Sequence, residues 1–220
     1  MKKVIALADA VERIPEGAVL MIGGFTGIGA PMRLIDELVR QRRSALTIIT
    51  NDTGRPNVGV GKLISERLVS RVITSHIGLN PDTQKQMIAG EIEVELVPQG
   101  TLAERIRAGG FGLGGVLTLT GLGTLVEQGK ATVDVDGETF LLEKPLRADF
   151  ALVAAKRADH GGNLEYAFTA RNFNPLMAMA ATTVIAEADE IVPVGVIPPD
   201  VVVTPNVVVD HLVAKERRHG

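Results

Sequence analysis

The chain has 220 residues, 45% of them hydrophobic, a formal net charge of −3 and no cysteine. That size and apolar content suit one α/β domain over residues 1–220. The slight negative charge and the 3% aromatic content without Trp argue against nucleic-acid and anionic-membrane partners, and the lack of Cys excludes disulfides and thiolate chemistry, so a cytoplasmic protein is expected.

Residues 4–11 carry a helical apolar spacing that stops before Pro15. Residues 18–22 are a short apolar run, the first expected strand, and it ends in Gly23-Gly24. Gly27 and Gly29 follow. Residues 31–42 then place Leu34, Ile35, Leu38 and Val39 at helical spacing, with a basic last turn that suits the helix dipole. Residues 46–50 read as a second strand, 51–61 as a polar, glycine-rich loop, 61–68 as a short helix and 71–75 as a third strand. Asn80-Pro81 sets a cap residue before a first-turn proline, so a helix runs to about Ala89 and stops at Gly90. Residues 92–97 alternate apolar and acidic side chains, as a half-exposed strand does. Pro98-Gln99-Gly100 turns the chain, and Thr101 and Glu104 have the spacing of a capping box for a helix ending at Gly109-Gly110.

Residues 108–126 form an uncharged run of 19 residues, seven of them glycine. The length approaches a membrane span, but so many glycines make a poor helix, and buried loop and strand are expected instead. Asp136-Gly137 between residues 131–135 and 139–142 signals a hairpin. Residues 150–155, 163–168 and 182–187 read as strands, Asn174-Pro175 opens a helix to about Ala181, and 201–209 is an extended segment interrupted by Pro205. Strands alternating with helices through the first half predict an open, mostly parallel sheet with flanking helices. No linker or internal repeat is legible.

The glycine loop between the first strand and its helix is the leading candidate site. Free amides at a helix start, reinforced by the helix dipole, favour an anion. The loop is not a dinucleotide fingerprint, because Met32 stands where the third glycine would be, and no Lys-Ser/Thr closes it as a phosphate loop. Ligands of open α/β sheets sit at the carboxyl ends of strands, so residues 23–30, 51–54 and 98–100 are expected to converge. Asn51 within Asn51-Asp52-Thr53-Gly54 reads as part of an Asx-type turn, and Gln99 as a turn residue able to orient a carboxylate. His76, His160, His211 and His219 lack ligand spacing, so no metal is expected, and His76 reads as a packed or hydrogen-bonded residue. The acids read as solvated positions. Arg171-Asn172-Phe173-Asn174-Pro175 is a polar run suited to fixing a loop or meeting a partner chain. What remains is an anion loop without a nucleophile, the inventory of half an active site.

The stretch E-G-A-V-L-M-I-G-G-F-T-G-I-G-A-P at 16–31 resembles the signature of the A (alpha) subunit of family I CoA-transferases. The resemblance continues through T-N-D-T-G at 50–54, S-H-I-G-L-N-P at 75–81, V-P-Q-G-T-L-A-E-R-I-R-A-G-G at 97–110, T-G-L-G-T-L-V-E-Q-G at 120–129 and A-R-N-F-N-P at 170–175. It covers essentially the whole chain and is strongest for bacterial acetate/acetoacetate and 3-oxoacid enzymes. Leu119 stands where relatives often have proline, away from the chemistry.

That resemblance implies the fold of sugar-phosphate isomerases and deaminases, and a ping-pong transfer of CoA from an acyl-CoA to a free carboxylate. It implies an enzyme-bound glutamyl-CoA thioester whose Glu lies in a Glu-Asn-Gly context on a beta subunit. This sequence has no Glu-Asn-Gly, so a beta partner is expected, in an α2β2 assembly, with coenzyme A as substrate and no permanently bound cofactor. By position, Gly24, Phe25, Thr26, Gly27, Ile28, Gly29 and Ala30 would lie against CoA and the acyl group and offer amides to an oxyanion. Gln99 would position the catalytic glutamate, and Asn51 would be a supporting amide in the same cleft. The rivals are a stand-alone isomerase or deaminase, which needs its own acid and base, and a ligand sensor of the same fold.

Overall fold

The computed structural model describes residues 3–214. Its main sheet holds eight strands. β1 (Val19–Ile22), β2 (Leu46–Asp52), β3 (Val69–His76) and β4 (Glu93–Leu96) follow one another outward in one direction, and β8 (Ala148–Asp159), β10 (Ala181–Val192) and β11 (His211–Ala214) in the other. The order is β11-β10-β8-β1-β2-β3-β4, all parallel, with β9 (Leu164–Glu165) antiparallel on β8. The strand order reverses at β1, which lies between β2 and β8. That is the switch point where an open α/β sheet forms its crevice.

Both faces of the sheet are covered, which is why the central strands read as unbroken apolar runs. Leu20 and Ile22 of β1 turn to one face and pack with α2 (Met32–Arg40) and α3 (Gly61–Ser65). Met21 turns to the other, toward α5 (Gln99–Gly110) and α6 (Asn174–Met179). The helical spacing of Leu34, Ile35 and Leu38 on α2 puts all three in the core with no exposure. Each such side chain contributes about 1.5–3 kcal/mol through burial. α1 (Leu7–Glu12) is shorter than expected because Val4 is drawn into a bridge with Leu212 at the sheet edge.

α4 (Pro81–Ile88) starts as its sequence requires, with the Asn80 side chain accepting from the amides of Asp82 at 3.1 Å and Thr83 at 3.4 Å. The capping box at Thr101 is not used. α5 begins earlier, at Gln99, and Thr101 is buried inside its first turns. β8 and β10 each run for 12 residues, well past the expected ends. Charged residues interrupt their apolar pattern, but backbone pairing continues, and ion pairs such as Arg157–Glu165 at 2.6 Å line the extension. The expected strand at 163–168 shrinks to β9 because residues 168–171 form a 3-10 turn. The extended segment at 201–209 is largely turns. The last strand is β11, just beyond it.

The glycine-rich run is not buried. After α5 it is largely exposed and leads into a small antiparallel sheet of β5 (Val116–Thr118), β7 (Glu138–Glu143) and β6 (Thr132–Val135), joined at the expected Asp136-Gly137 turn. An ionic lock fastens this sheet to the body. Arg105 meets Glu95 at 2.7 Å and the Lys144 carbonyl at 2.9 Å, and the buried Glu143 takes Lys130 at 2.5 Å. No helix among the described residues is long and apolar enough to cross a membrane.

Candidate active site

The glycine loop folds as a miniature hairpin. Phe25 and Ile28 exchange backbone hydrogen bonds at 3.0 and 2.9 Å, with Thr26 and Gly27 as the turn. Both turn residues have positive φ, 47° and 91°, as a type I′ turn requires. A second hairpin follows β2 with the same layout 30 residues later. There Arg55 and Val58 pair across Pro56-Asn57, with Asn57 at φ 59°, the residue pattern of a type II turn. This is an internal repeat that the sequence hides, since Gly24/Gly54 and Gly29/Gly59 are its only marks. The two hairpins lie side by side: a Cβ on Gly59 would sit 3.8 Å from the Gly27 Cα.

Two asparagines clamp the first hairpin. The Asn172 carboxamide accepts from the Gly24 amide at 3.1 Å and donates to the Ile28 and Thr169 carbonyls at 2.9 Å. Asn174, fully buried, donates to the Gly29 and Ala170 carbonyls at 2.9 and 2.8 Å and accepts from the Ala154 amide at 3.0 Å. The polar run at 171–175 therefore fixes a loop. Gly23 must be glycine for the same reason: a Cβ there would fall 1.9 Å from the Asn174 Oδ1.

The anion expected at the start of α2 belongs to the chain itself. Glu187 of β10 accepts from the amides of Arg33 at 2.9 Å and Leu34 at 3.0 Å. Burial pushes its carboxyl above the ordinary range, against the pull of those amides and of Arg33. The hairpin amides are also mostly engaged. Those of Gly24, Phe25, Thr26, Ile28 and Ala30 all have partners within the chain. The amides of Gly27 and Gly29 are the two in this loop left without one among the described residues.

A line of polar groups joins the hairpin to Gln99. Asp52, at the end of β2, accepts from the Thr26 amide at 2.8 Å, the Gly54 amide at 2.8 Å and the Asn51 side chain at 2.7 Å. The Asn51 Oδ1 in turn accepts from Gln99 Nε2 at 2.6 Å. Asn51 is buried and held also through Ser75 at 3.3 Å, whereas Gln99 opens to solvent. Asp52 is buried and spends both oxygens on N–H donors, so it is a structural anchor and a poor nucleophile. The three loops expected to converge do meet: Asp52 ties the second to the first, and Asn51 meets Gln99 of the third.

A coenzyme A transferase family model matches residues 4–215. This chain belongs to the coenzyme A transferase family. Acetate CoA-transferase subunit alpha of Escherichia coli is 52% identical over 97% of both chains. The acetoacetyl-CoA:acetate/butyrate CoA transferase alpha subunit of Clostridium acetobutylicum is 51% identical, over 96% of this chain and 97% of that one. The acyl-CoA transferase from E. coli O157:H7, solved as a thioester complex with CoA, superposes with a TM-score of 0.88 over 100% of this chain at 23% identity. This chain spans about half (49%) of that longer polypeptide. The reaction class of the family is CoA transfer, with a CoA thioester as substrate.

In this CoA-transferase chain, sequence reasoning named Asn51 and Gln99, which touch, and the hairpin, which adjoins them through Asp52. It passed over Glu187, and took Asp52 only as part of an Asx-type turn and Asn172 and Asn174 only as part of a polar run suited to fixing a loop or meeting a partner chain. The crowding of Asn and Arg before α6 was the available signal for the asparagines. Nothing marked Glu187, because its partners lie over 150 residues away in sequence. Of the histidines, His76 is exposed at the end of β3 beside Asp52, with its ring against Gly78, and His219 lies outside the described residues. No group of three or more His, Cys, Asp or Glu among the described residues is arranged to hold a metal ion.

Proposed function

We propose that this chain is the alpha half of a two-chain CoA-transferase, in an α2β2 assembly, that moves CoA between short acyl-CoAs and acetate or a 3-oxoacid. The observation that carries this reading is the Gln99–Asn51 contact of 2.6 Å beside a rigid glycine hairpin. Gln99 presents an amide at an open edge where a carboxylate can be oriented, while the nearest acid, Asp52, is already saturated with donors. As the resemblance to family I CoA-transferase alpha subunits implies, the attacking carboxylate comes from a glutamate of the beta subunit.

That carboxylate attacks the thioester carbonyl, and CoA thiolate leaves an acyl-glutamyl anhydride. The thiolate then attacks the glutamyl carbonyl, releasing the first carboxylate and leaving glutamyl-CoA, and a second carboxylate reverses the sequence. Covalent catalysis of this kind divides one hard exchange into easier ones. The free amides of Gly27 and Gly29 are the hairpin donors suited to a developing oxyanion. One such donor contributes about 3 kcal/mol to a transition state. Asn51 acts as a positioning residue that sets the Gln99 amide.

The test is transfer from acetoacetyl-CoA to acetate. The chain alone should be inactive and the reconstituted pair active. Gln99→Ala should lower kcat about 10- to 100-fold, the worth of a hydrogen bond to a charged group, with assembly unchanged. Full activity of the isolated chain would overturn the half-site reading.

A further inference from the structure

Glu187 is a half-buried acid that the transfer reaction leaves unused. It stands within β10, opposite Ala154 of β8 and Val213 of β11. A charge is costly at such a place unless donors meet it. Here its Oε2 accepts from the amides of Arg33 at 2.9 Å and Leu34 at 3.0 Å. A capping oxygen normally comes from the residue just before the helix. In α2 that residue is Pro31, which offers no side-chain acceptor, so the cap comes from over 150 residues away in sequence.

The cap reaches the hairpin with little slack. Asn174 holds the Gly29 carbonyl at 2.9 Å, and Glu187 holds the Arg33 amide. Only Ala30, Pro31 and Met32 lie between these two fixed points, and the proline ring fixes its own φ, here −77°. A shift in the first turn of α2 is therefore passed to the Gly29 peptide, whose amide is one of the two open donors. Glu187 also lines one cavity of about 330 Å3 together with Gly29 and Ala30. The other charged groups on that cavity among the described residues are Arg33 of α2, Lys156 of β8 and Asp189 of β10. Lys156 and Asp189 meet at 3.4 Å, and the Arg33 guanidinium donates to the Ala214 carbonyl.

We propose that Glu187 is a positioning residue of the transfer reaction: through the first turn of α2 it fixes the open Gly29 amide, and its charge sets how well that amide holds an oxyanion. The inference rests on the reading of the reaction given above and deepens it. An ionised carboxylate on the same cavity opposes negative charge gathering at Gly29, at a range where water screens less than in bulk. A protonated carboxyl keeps an acceptor oxygen for α2 and removes that opposition. Burial favours the second state, because it holds the proton on Glu187 above the ordinary carboxylate range.

The test uses the reconstituted pair, with kcat and KM for acetoacetyl-CoA followed across the pH range in which it stays folded. The native enzyme should lose kcat, by about threefold or more, as pH rises through the Glu187 titration. Glu187→Gln keeps the acceptor and cannot ionise. It should show no such fall and stay within about threefold of the native kcat at the acidic end, with KM unchanged. Glu187→Ala removes the acceptor and should lower kcat about tenfold at every pH, the worth of a lost hydrogen bond. Glu187→Gln carries the test if the alanine variant does not fold. Amide NMR of the labelled chain within the pair supplies a second readout: Gly29, Arg33 and Leu34 should shift in one titration that Glu187→Gln abolishes. Superimposable pH profiles for the native and Glu187→Gln enzymes overturn the proposal. So does a change in KM with kcat unaltered, which would assign Glu187 to substrate binding, and so does a Gly29 amide that stays still while Arg33 and Leu34 titrate. A Gly29 amide that titrates with Glu187 in a pair that transfers no CoA supports the coupling and removes the reading of the reaction instead.

Discussion

Gly23 and Asn174 should be energetically coupled, and a double-mutant cycle measures it. In Gly23→Ala the new Cβ would lie 1.9 Å from Oδ1 and 2.6 Å from Cγ of Asn174, far inside ordinary contact. Gly23 has no positive φ, so the cost is the collision and not the backbone. Asn174 can yield only by giving up its three short bonds, to Gly29, Ala170 and Ala154. At about 1 kcal/mol net for each bond, Gly23→Ala should cost ~3 kcal/mol. Asn174→Ala breaks the same bonds and should cost a similar amount. In the double variant the space is open and the bonds are already gone, so the second change adds little. The expected coupling is about 2–3 kcal/mol, against a typical total stability of ~5–15 kcal/mol. Urea unfolding followed by circular dichroism reads all four corners of the cycle, since the chain has no Trp to report by fluorescence. Additive losses would refute the idea that Asn174 and the end of β1 form one unit.

Two further predictions concern charge. The raised pKa of Glu187 comes chiefly from burial, so its contribution to stability is fully present below the unfolded-state carboxylate pKa and is lost as pH rises through the folded value. Glu187→Gln keeps an acceptor for α2 and should flatten the Tm profile above the ordinary carboxylate range, where the raised Glu187 titrates; an unchanged slope would remove Glu187 as its source. Arg105→Met should destabilise the chain by ~3 kcal/mol, because Glu143 is buried and Glu95 loses its best partner. Thermal denaturation measures that, and a loss under about 1 kcal/mol would make the ionic lock incidental.

Periodicity and turn chemistry are local properties, and they carried much of this chain. The 18–22 run, the spacing on α2, the Asn80 cap and the Asp136-Gly137 hairpin all appear in the structure because each is decided within a few residues. The parallel sheet followed from the alternation of strands and helices. The same logic failed where pairing overrides pattern. β8 and β10 extend through charged residues because the neighbouring backbone supplies their hydrogen bonds. β11 begins only where the chain is clear of Pro205. The glycine-rich run was expected inside, since lack of charge resembles burial, yet most of it lies on the surface.

The glycine loop itself divides between the two sources. Its glycines announced a strand end, a tight turn and close packing from sequence alone, and the resemblance at 16–31 attached a CoA-transferase reading to it. Beyond the bonds that the hairpin makes within itself, which of its amides remain free was decided by tertiary partners: Asn172 from the far side of the chain takes the Gly24 amide and Asp52 from the next strand that of Thr26, while Glu187 fills the helix start. Hydrogen-bond saturation depends on groups up to about 150 residues away in sequence, and no local pattern can encode them. The loop that reads as a general anion cradle is thereby narrowed to two open donors, Gly27 and Gly29, on a clamped hairpin.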